Sequence, residues 1–317
     1  MKNKHFLSVI IATFNRAEIL NKTLESFCNL NTKGIKWELI VVDNNSSDQT
    51  KNIIKSYSGR LPIRYLFESQ QGKNYALNAG IKIAKGDILV FTDDDVSPEE
   101  NWLVEIAKSV DRWPTGQVFG GKVIPRFPKD TPEWVKASNF SPYVFAIHSL
   151  QKHEGPYMES GSPVGPNCWI RKELFDAGYS YNCNIGPKGT GRVSGSELEL
   201  FTRLIRDGVY PIYVPSAVVY HRIQKHQIKM LYLLKRSFAS GRGIIRIQSA
   251  YSGPKVFGIP RYLFRHIIEF SIKSFIEFIR LRPQKGFEYI MDTSHRIGCV
   301  RESWELLKSQ HTNRCSL

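Results

Sequence analysis

Four short apolar runs recur through the first hundred residues: LSVIIA (7–12), WELIVVD (37–43), IRYLF (63–67) and DILVFTD (87–93). They are rich in branched residues and apolar on both faces, as strands buried on both sides are. Between them, residues 17–30, 48–58 and 73–85 have helical length and spacing, with Leu20, Leu24 and Phe27 as one example. This βαβαβαβ order predicts an α/β fold, a mostly parallel sheet with right-handed crossovers and helices on its faces.

Further along, 99–112 reads as a helix and VFGGKVIP (118–125) as a strand. Residues 126–165 are aromatic, polar and punctuated by proline, and predict a loop-rich wall. A glycine-rich stretch at 184–195 precedes a helix at 196–208, with Ser196 at its N-cap and Gly208 at its stop. Two strands follow, VYPIYVP and AVVYH.

In a parallel sheet the strand ends share one edge, where ligands of open α/β sheets bind. Asp43 and the run Asp93, Asp94, Asp95 all stand just past strand ends. Three adjacent carboxylates repel one another and require a positive partner. One reading supplies a hard divalent cation, Mg²⁺ or Mn²⁺, held against a phosphate-bearing ligand; the other makes the run a solvated turn capping the next helix. Polar Thr13, Asn15 and Arg16 end the first strand, Asn44, Asn45 and Ser46 follow the second, and Lys73 and Asn78 precede the Asp run. Four polar strand ends on one edge predict a site.

With these residues in order, the chain resembles a family 2 glycosyltransferase of the GT-A fold. The resemblance rests on an opening strand ending in T-x-N, the VVDNNSSDQT segment and a D-x-D type motif in Asp93, Asp94 and Asp95. It is dense over residues 6–125 and looser to His221. It implies a UDP- or GDP-sugar donor, with Asp43 at the base, Asp93 at the ribose and Asp95 on the metal. Asp94 is ambiguous because the triple permits two registers, while Thr13, Asn15, Arg16, Lys73 and Asn78 belong to the donor side.

The segment VSGSELELFTRL resembles the one carrying an acidic pair at a helix start, which implies Glu197 as the catalytic base. Ser196 stands where the first acid of that pair is usual, and Glu199 is the fallback. His221 follows a strand where related enzymes carry a metal-binding histidine; by position alone it is a structural strand-end residue. Trp169 either stacks on a sugar ring or fills the core, and His148, His153 and His226 read as surface histidines. The reaction implied is inverting transfer to a hydroxyl of a glycan or lipid-linked acceptor, as in cell-surface polysaccharide synthesis. A metal-dependent nucleotidyltransferase and a noncatalytic binding protein are the alternatives.

With 317 residues, 42% of them hydrophobic and 23% charged, the chain has the composition of a globular protein. Five scattered cysteines without CxxC spacing predict a reducing compartment. The N-terminal apolar run is too short for a signal peptide or a spanning helix. Of the net charge of +15, residues 201–317 contribute most, with 20 Lys and Arg against 7 Asp and Glu. Residues 261–280 mix apolar and basic residues at helical spacing, as a helix lying on an anionic membrane surface does, and as a packed helix also does. Nucleic acid is not expected as a partner, since no recognition motif accompanies the charge. The expected organisation is a catalytic domain at 1–225, divided into a nucleotide half (1–125) and an acceptor half (126–225), then a basic helical extension at 226–317. The expected location is cytoplasmic, peripheral on the inner face of the cell membrane.

Overall fold

The computed structural model describes residues 5–157, 161–188, 191–248 and 251–314, without side-chain detail at 191–192 and 310–314. Cys315, and parts of the 126–165 and 184–195 stretches, lie outside the described residues. The other four cysteines are free thiols.

The predicted alternation is present as β1 (Phe6–Thr13), α1 (Ala17–Phe27), β2 (Lys36–Asp43), α2 (Thr50–Ser56), β3 (Ile63–Phe67), α3 (Lys73–Ile83) and β4 (Ile88–Thr92). Then come β5 (Val96–Pro98), α4 (Trp102–Arg112), β6 (Val118–Arg126), the short helices α5 (Glu133–Lys136) and α6 (Ser141–Val144), and β7 (Gly155–Pro156). β8 (Cys168–Arg171), α7 (Lys172–Asp176), β9 (Gly186–Lys188), β10 (Gly191–Val193), α8 (Ser196–Arg206) and β11 (Ile212–Arg222) follow. The chain ends in α9 (Met230–Ile247), a small hairpin of β12 (Lys255–Val256) and β13 (Ile259–Pro260), α10 (Arg261–Ile279) and α11 (Pro283–Arg314).

Among the described residues a nine-stranded sheet runs β3-β2-β1-β4-β8-β6-β11-β5, with β7 also on β11. β3, β2, β1 and β4 are mutually parallel, and β8 is antiparallel to both β4 and β6. Alternation along β1 sorts the core into two layers. Leu7, Val9 and Ile11 pack with Leu20, Leu24 and Phe27 of α1 and with Trp102, Leu103 and Ile106 of α4. Ile10 faces the other way, among Ala76, Leu77 and Ile81 of α3 and Leu200 and Phe201 of α8. Gly80 lets α3 approach that layer, because a Cβ there would meet Ile10 Cγ2 at 2.7 Å.

The structure differs from the expected elements at two places. The two strands expected before His221 are one strand, β11, with a register shift between Val214 and Val218. Asn167 fills the break: its Nδ2 donates to Lys122 O (2.9 Å) and Ala217 O (2.8 Å), while its Oδ1 accepts from Trp102 Nε1 (2.9 Å). These bonds satisfy carbonyls that the interrupted ladder would otherwise bury unpaired. Ser196 is the first helical residue of α8 rather than its cap. Gly208 does stop that helix, with φ 87°, Gly208 N donating to Ile205 O and Val209 N to Leu204 O. The long helix α11 falls within the helical extension expected at 226–317.

The chain forms two compact units, one of Met1–Phe127, Phe145–Asn184 and Ser196–Ile223, the other of Pro128–Val144, Ile185–Gly195 and Gln224–Leu317. Residues 128–144 and 185–195, which the sequence had placed in the acceptor half, therefore pack with the C-terminal helices. Trp134 stacks on Phe287 at 5.1 Å, and the backbone N–H of Ser194 donates to Ala239 O at 3.0 Å.

Candidate active site

The first unit gathers its polar strand ends on one edge. Thr13 of β1 is in register with Asp43 of β2, and Ile11 is in register with Thr92 at the end of β4. The three aspartates then carry the chain from β4 at the sheet's centre to β5 at its far edge. That crossing is pinned by backbone bonds. Thr23 Oγ1 donates to Asp94 O (2.7 Å) and Val96 O (3.1 Å), and Arg222 N donates to Asp95 O (2.8 Å). Pairing of β11 with β5 sets His221 opposite Val96, one residue from Asp95.

Each carboxylate of the run has a cation from the chain itself. Lys73 Nζ lies 2.7 Å from Asp93 Oδ1 and 2.9 Å from Glu197 Oε1. Arg16 spreads its fork over the next two, with Nη1 at 2.5 Å from Asp94 Oδ1 and Nη2 at 2.8 Å from Asp95 Oδ2. His221 Nε2 stands 3.3 Å from Asp95 Oδ1, and its Nδ1 donates to Phe145 O at 2.7 Å. Thr13 Oγ1 adds a 2.7 Å bond to Asp94 Oδ2. The positive partner expected to be a metal is thus, in the first instance, the set Arg16, Lys73 and His221.

Burial and pairing divide the run. Burial pushes the Asp94 carboxyl up to about 6 against the pull of Arg16. Burial also opposes ionisation of Asp95, yet His221 and Arg16 outweigh it and hold that carboxyl well below the usual range. For Lys73, desolvation works against the charge and Asp93 and Glu197 overcome it, so the ammonium is held charged. His221 is likewise raised, Asp95 prevailing over burial. Opposite charges at these separations favour the ionised forms.

Asp43 is buried at the end of β2, where its Oδ1 accepts from Ser46 N (2.9 Å) and its Oδ2 from the Tyr65 hydroxyl (3.1 Å). Burial and the Asp43 charge push that phenol up to about 12. Asn15 adopts φ 50°, and its Oδ1 accepts from Ser47 N at 2.7 Å, joining the loops after β1 and β2. Asn78 is not joined to the carboxylates. Its Nδ2 donates to Tyr181 O and its Oδ1 accepts from Tyr181 N, so the amide holds the chain beyond α7.

Glu199, the fallback base, is paired with Arg203 one turn along α8 at 2.8 Å. Trp169 is core: it is fully buried and stacks on Phe119 at 5.7 Å. His148 is buried too, with Nε2 2.7 Å from the Tyr157 hydroxyl. Three contributors went unread in the sequence. Gly165 gives Glu197 its space, since a Cβ there would lie 2.4 Å from Oε1. Tyr65 shares β3 with Phe67, the register partner of Asp43, and strand pairing was the signal available for it. Asp48 accepts from Ala17 N and Thr50 N, both at 3.0 Å, capping α1 and serving the start of α2.

For a divalent ion, the described residues contain no group of three His, Cys, Asp or Glu side chains. They do contain Asp95 Oδ1, a buried oxygen without a hydrogen-bond partner, facing the His221 imidazole. One carboxylate and one imidazole suit a cation whose other ligands are phosphate oxygens and water, and the histidine favours Mn²⁺ over Mg²⁺.

The structure of the mannosyltransferase PcManGT from Pyrobaculum calidifontis, in complex with GDP-Man and Mn²⁺, superposes with a TM-score of 0.55 at 16% identity, over 96% of this chain and 75% of that one. The fold is therefore GT-A-like, a mostly parallel sheet flanked by helices. Among curated proteins, the glycosyltransferase AglE of Haloferax volcanii is 26% identical over 245 residues, 76% of this chain and 74% of the relative. A glucosyl-dolichyl phosphate glucuronosyltransferase of the same organism is 23% identical over 241 residues, 74% of this chain and 75% of the relative. The family model for Glycosyl transferase family 2 matches residues 8–178, from within β1 to just past α7 and including all three aspartates of the run. This chain belongs to glycosyl transferase family 2 and is a glycosyltransferase that uses a nucleotide-sugar donor.

Proposed function

We propose that the chain is an inverting transferase that moves a sugar from a UDP- or GDP-sugar to a hydroxyl of a glycan or lipid-linked acceptor, in cell-surface polysaccharide synthesis on the inner face of the membrane. The observation that carries this reading is the single lysine shared by Asp93 and Glu197, which supports a donor-side role for the first and a base role for the second at one point of the sheet edge. The relative named for glucosyl-dolichyl phosphate supports a lipid-linked acceptor.

In this reading Asp43 meets the nucleotide base, Asp93 the ribose, and Thr13, Asn15 and Arg16 shape the floor beneath them. Glu197 accepts the proton of the acceptor hydroxyl as its oxygen bonds to the anomeric carbon and the bond from that carbon to the diphosphate oxygen breaks. Direct displacement by one base inverts the centre and needs no covalent intermediate. Asp95 and His221 would hold the divalent ion, which when bound offsets charge on the diphosphate. Arg16 keeps Asp94 and Asp95 side by side, and Lys73 orients Glu197.

Calorimetric titration with UDP and with GDP, each in Mn²⁺, in Mg²⁺ and in EDTA, tests the donor side. Metal-dependent binding of one diphosphate is the expected result and identifies the base. Absence of binding to both under every condition would overturn the assignment of this edge.

A further inference from the structure

The helix α10 has two unlike faces. One packs within the C-terminal unit: Leu263 is buried with Ile259 and Cys299, Phe270 stacks on Tyr289, Phe278 meets Phe287 edge-on, and Ser274 Oγ donates to Gly286 O. The other carries Ile268, Ile272, Phe275 and Ile279, exposed by 62%, 54%, 67% and 65%. Their spacing of four, three and four residues puts them in one line along the helix, about 16 Å long at the rise of an α-helix. Four large apolar side chains in a continuous line on one helix are far from the scattered exposure ordinary at a protein surface.

Charge says what covers the line. Arg261 and Arg265 precede it on exposed positions, and Arg280 and Arg282 are exposed beyond its other end. The two acids of the helix lie off the line and are neutralised locally, Glu269 by Lys273 at 2.5 Å and Glu277 by Arg280 at 3.4 Å. The hairpin leading into α10 turns at Phe257, which is exposed as well. No helix among the described residues is long and apolar enough to cross a membrane. An apolar stripe bracketed by arginines at both ends, on the basic part of the chain, matches acyl chains below a layer of anionic headgroups.

We infer that the Ile268, Ile272, Phe275 and Ile279 face of α10 is the docking surface for an anionic bilayer, with the helix lying in the plane of the interface. This inference rests on the membrane-surface reading above and names the side chains that enter the lipid. Arginine at both ends favours an in-plane pose over a spanning one, because burying either end would desolvate guanidinium groups. Self-association through the same face would leave the bracketing arginines facing one another, and is disfavoured on charge.

The test is flotation of the full chain with vesicles of phosphatidylglycerol and phosphatidylcholine in equal parts, and with phosphatidylcholine alone. The wild type is expected to float with the anionic vesicles and to be released by high salt. The double variant Ile272→Ser with Phe275→Ser is expected to lose partitioning by about tenfold or more, as removal of two buried large apolar groups requires. Both positions are exposed, so thermal unfolding should be unchanged, and Ile268→Ser with Ile279→Ser provides a second, independent pair. Failure of the wild type to float, or undiminished flotation of both double variants, would overturn the inference. So would a concentration-dependent dimer in sedimentation that these variants abolish without any vesicle binding. Nucleotide titration in parallel separates this from the donor assignment: flotation without diphosphate binding sinks the latter and leaves the docking face standing.

Discussion

Lys73 Nζ lies 2.9 Å from Glu197 Oε1, a contact between residues 124 apart in the chain. The same ammonium holds Asp93, so the candidate base and the carboxylate proposed for the donor side are positioned by one group. Lys73→Met keeps the aliphatic stem and removes the charge. Transfer rates should fall by about 100-fold or more, the scale of a misplaced catalytic group. Initial rates with the nucleotide-sugar chosen by the titration check this, and unchanged rates would show the ion pair to be irrelevant to the reaction.

Glu197→Gln retains the shape of the side chain and removes its ability to accept a proton. Turnover should drop by about 10²–10⁴-fold while diphosphate binding persists. Glu199→Gln, which breaks only the pair with Arg203, should stay near wild-type turnover. Full activity in Glu197→Gln would move the base elsewhere.

Arg16 is the cation between two buried carboxylates, Asp94 and Asp95. Its removal leaves Asp94 without its guanidinium and Asp95 with His221 alone. Arg16→Met should destabilise the fold by about 3–5 kcal/mol, as breaking a buried pair does. Denaturant unfolding measures this, and adding Asp94→Asn should restore part of the loss. An unaltered midpoint in the single variant would mean that solvent or ions replace the guanidinium.

Gly165→Ala places a methyl group against the carboxylate of Glu197, at 2.4 Å from Oε1 before any relaxation. The side chain of Glu197 is flexible and moves first. The expected outcome is lowered turnover with a nearly unchanged melting temperature. Wild-type turnover would show that the position of Glu197 here is not the reactive one.

His148 and His295 are both lowered to about 4 by burial. Above the ordinary value of 6.5 each is neutral in both folded and unfolded chains, and its contribution is fully present. As pH falls below 6.5 the unfolded chain takes up the proton and the folded one does not, so stability declines until the folded value near 4 is passed. Each histidine contributes a slope of about 1.4 kcal/mol per pH unit in that window. Melting curves across it should be flatter in His148→Gln than in wild type; parallel curves would show that His148 titrates normally.

Family membership also disposes of the alternatives carried by the sequence, a nucleotidyltransferase and a noncatalytic binder. The strand ends were legible because periodicity locates them without knowledge of neighbours. Asp43 and Asp93 emerge at one edge for that reason. The hydrogen bonds of Asn78, midway along α3, to the Tyr181 backbone were hidden from the sequence because that partner is 103 residues away. The His148 environment was equally hidden, since its burial depends on Tyr157 and Tyr213, brought in by other segments.

The amino-acid sequence by itself determined the layered α/β architecture, the shared edge of its parallel strand ends and the basic, apolar-striped C-terminal region, because each follows from local periodicity and composition. The tertiary structure alone decided which cation meets which carboxylate. Arg16 is 78 residues from Asp94, and His221 reaches Asp95 only because β11 pairs antiparallel with β5. Charges attract without regard to sequence separation, so their pairing is set by which strand ends the packed sheet brings within a few ångströms.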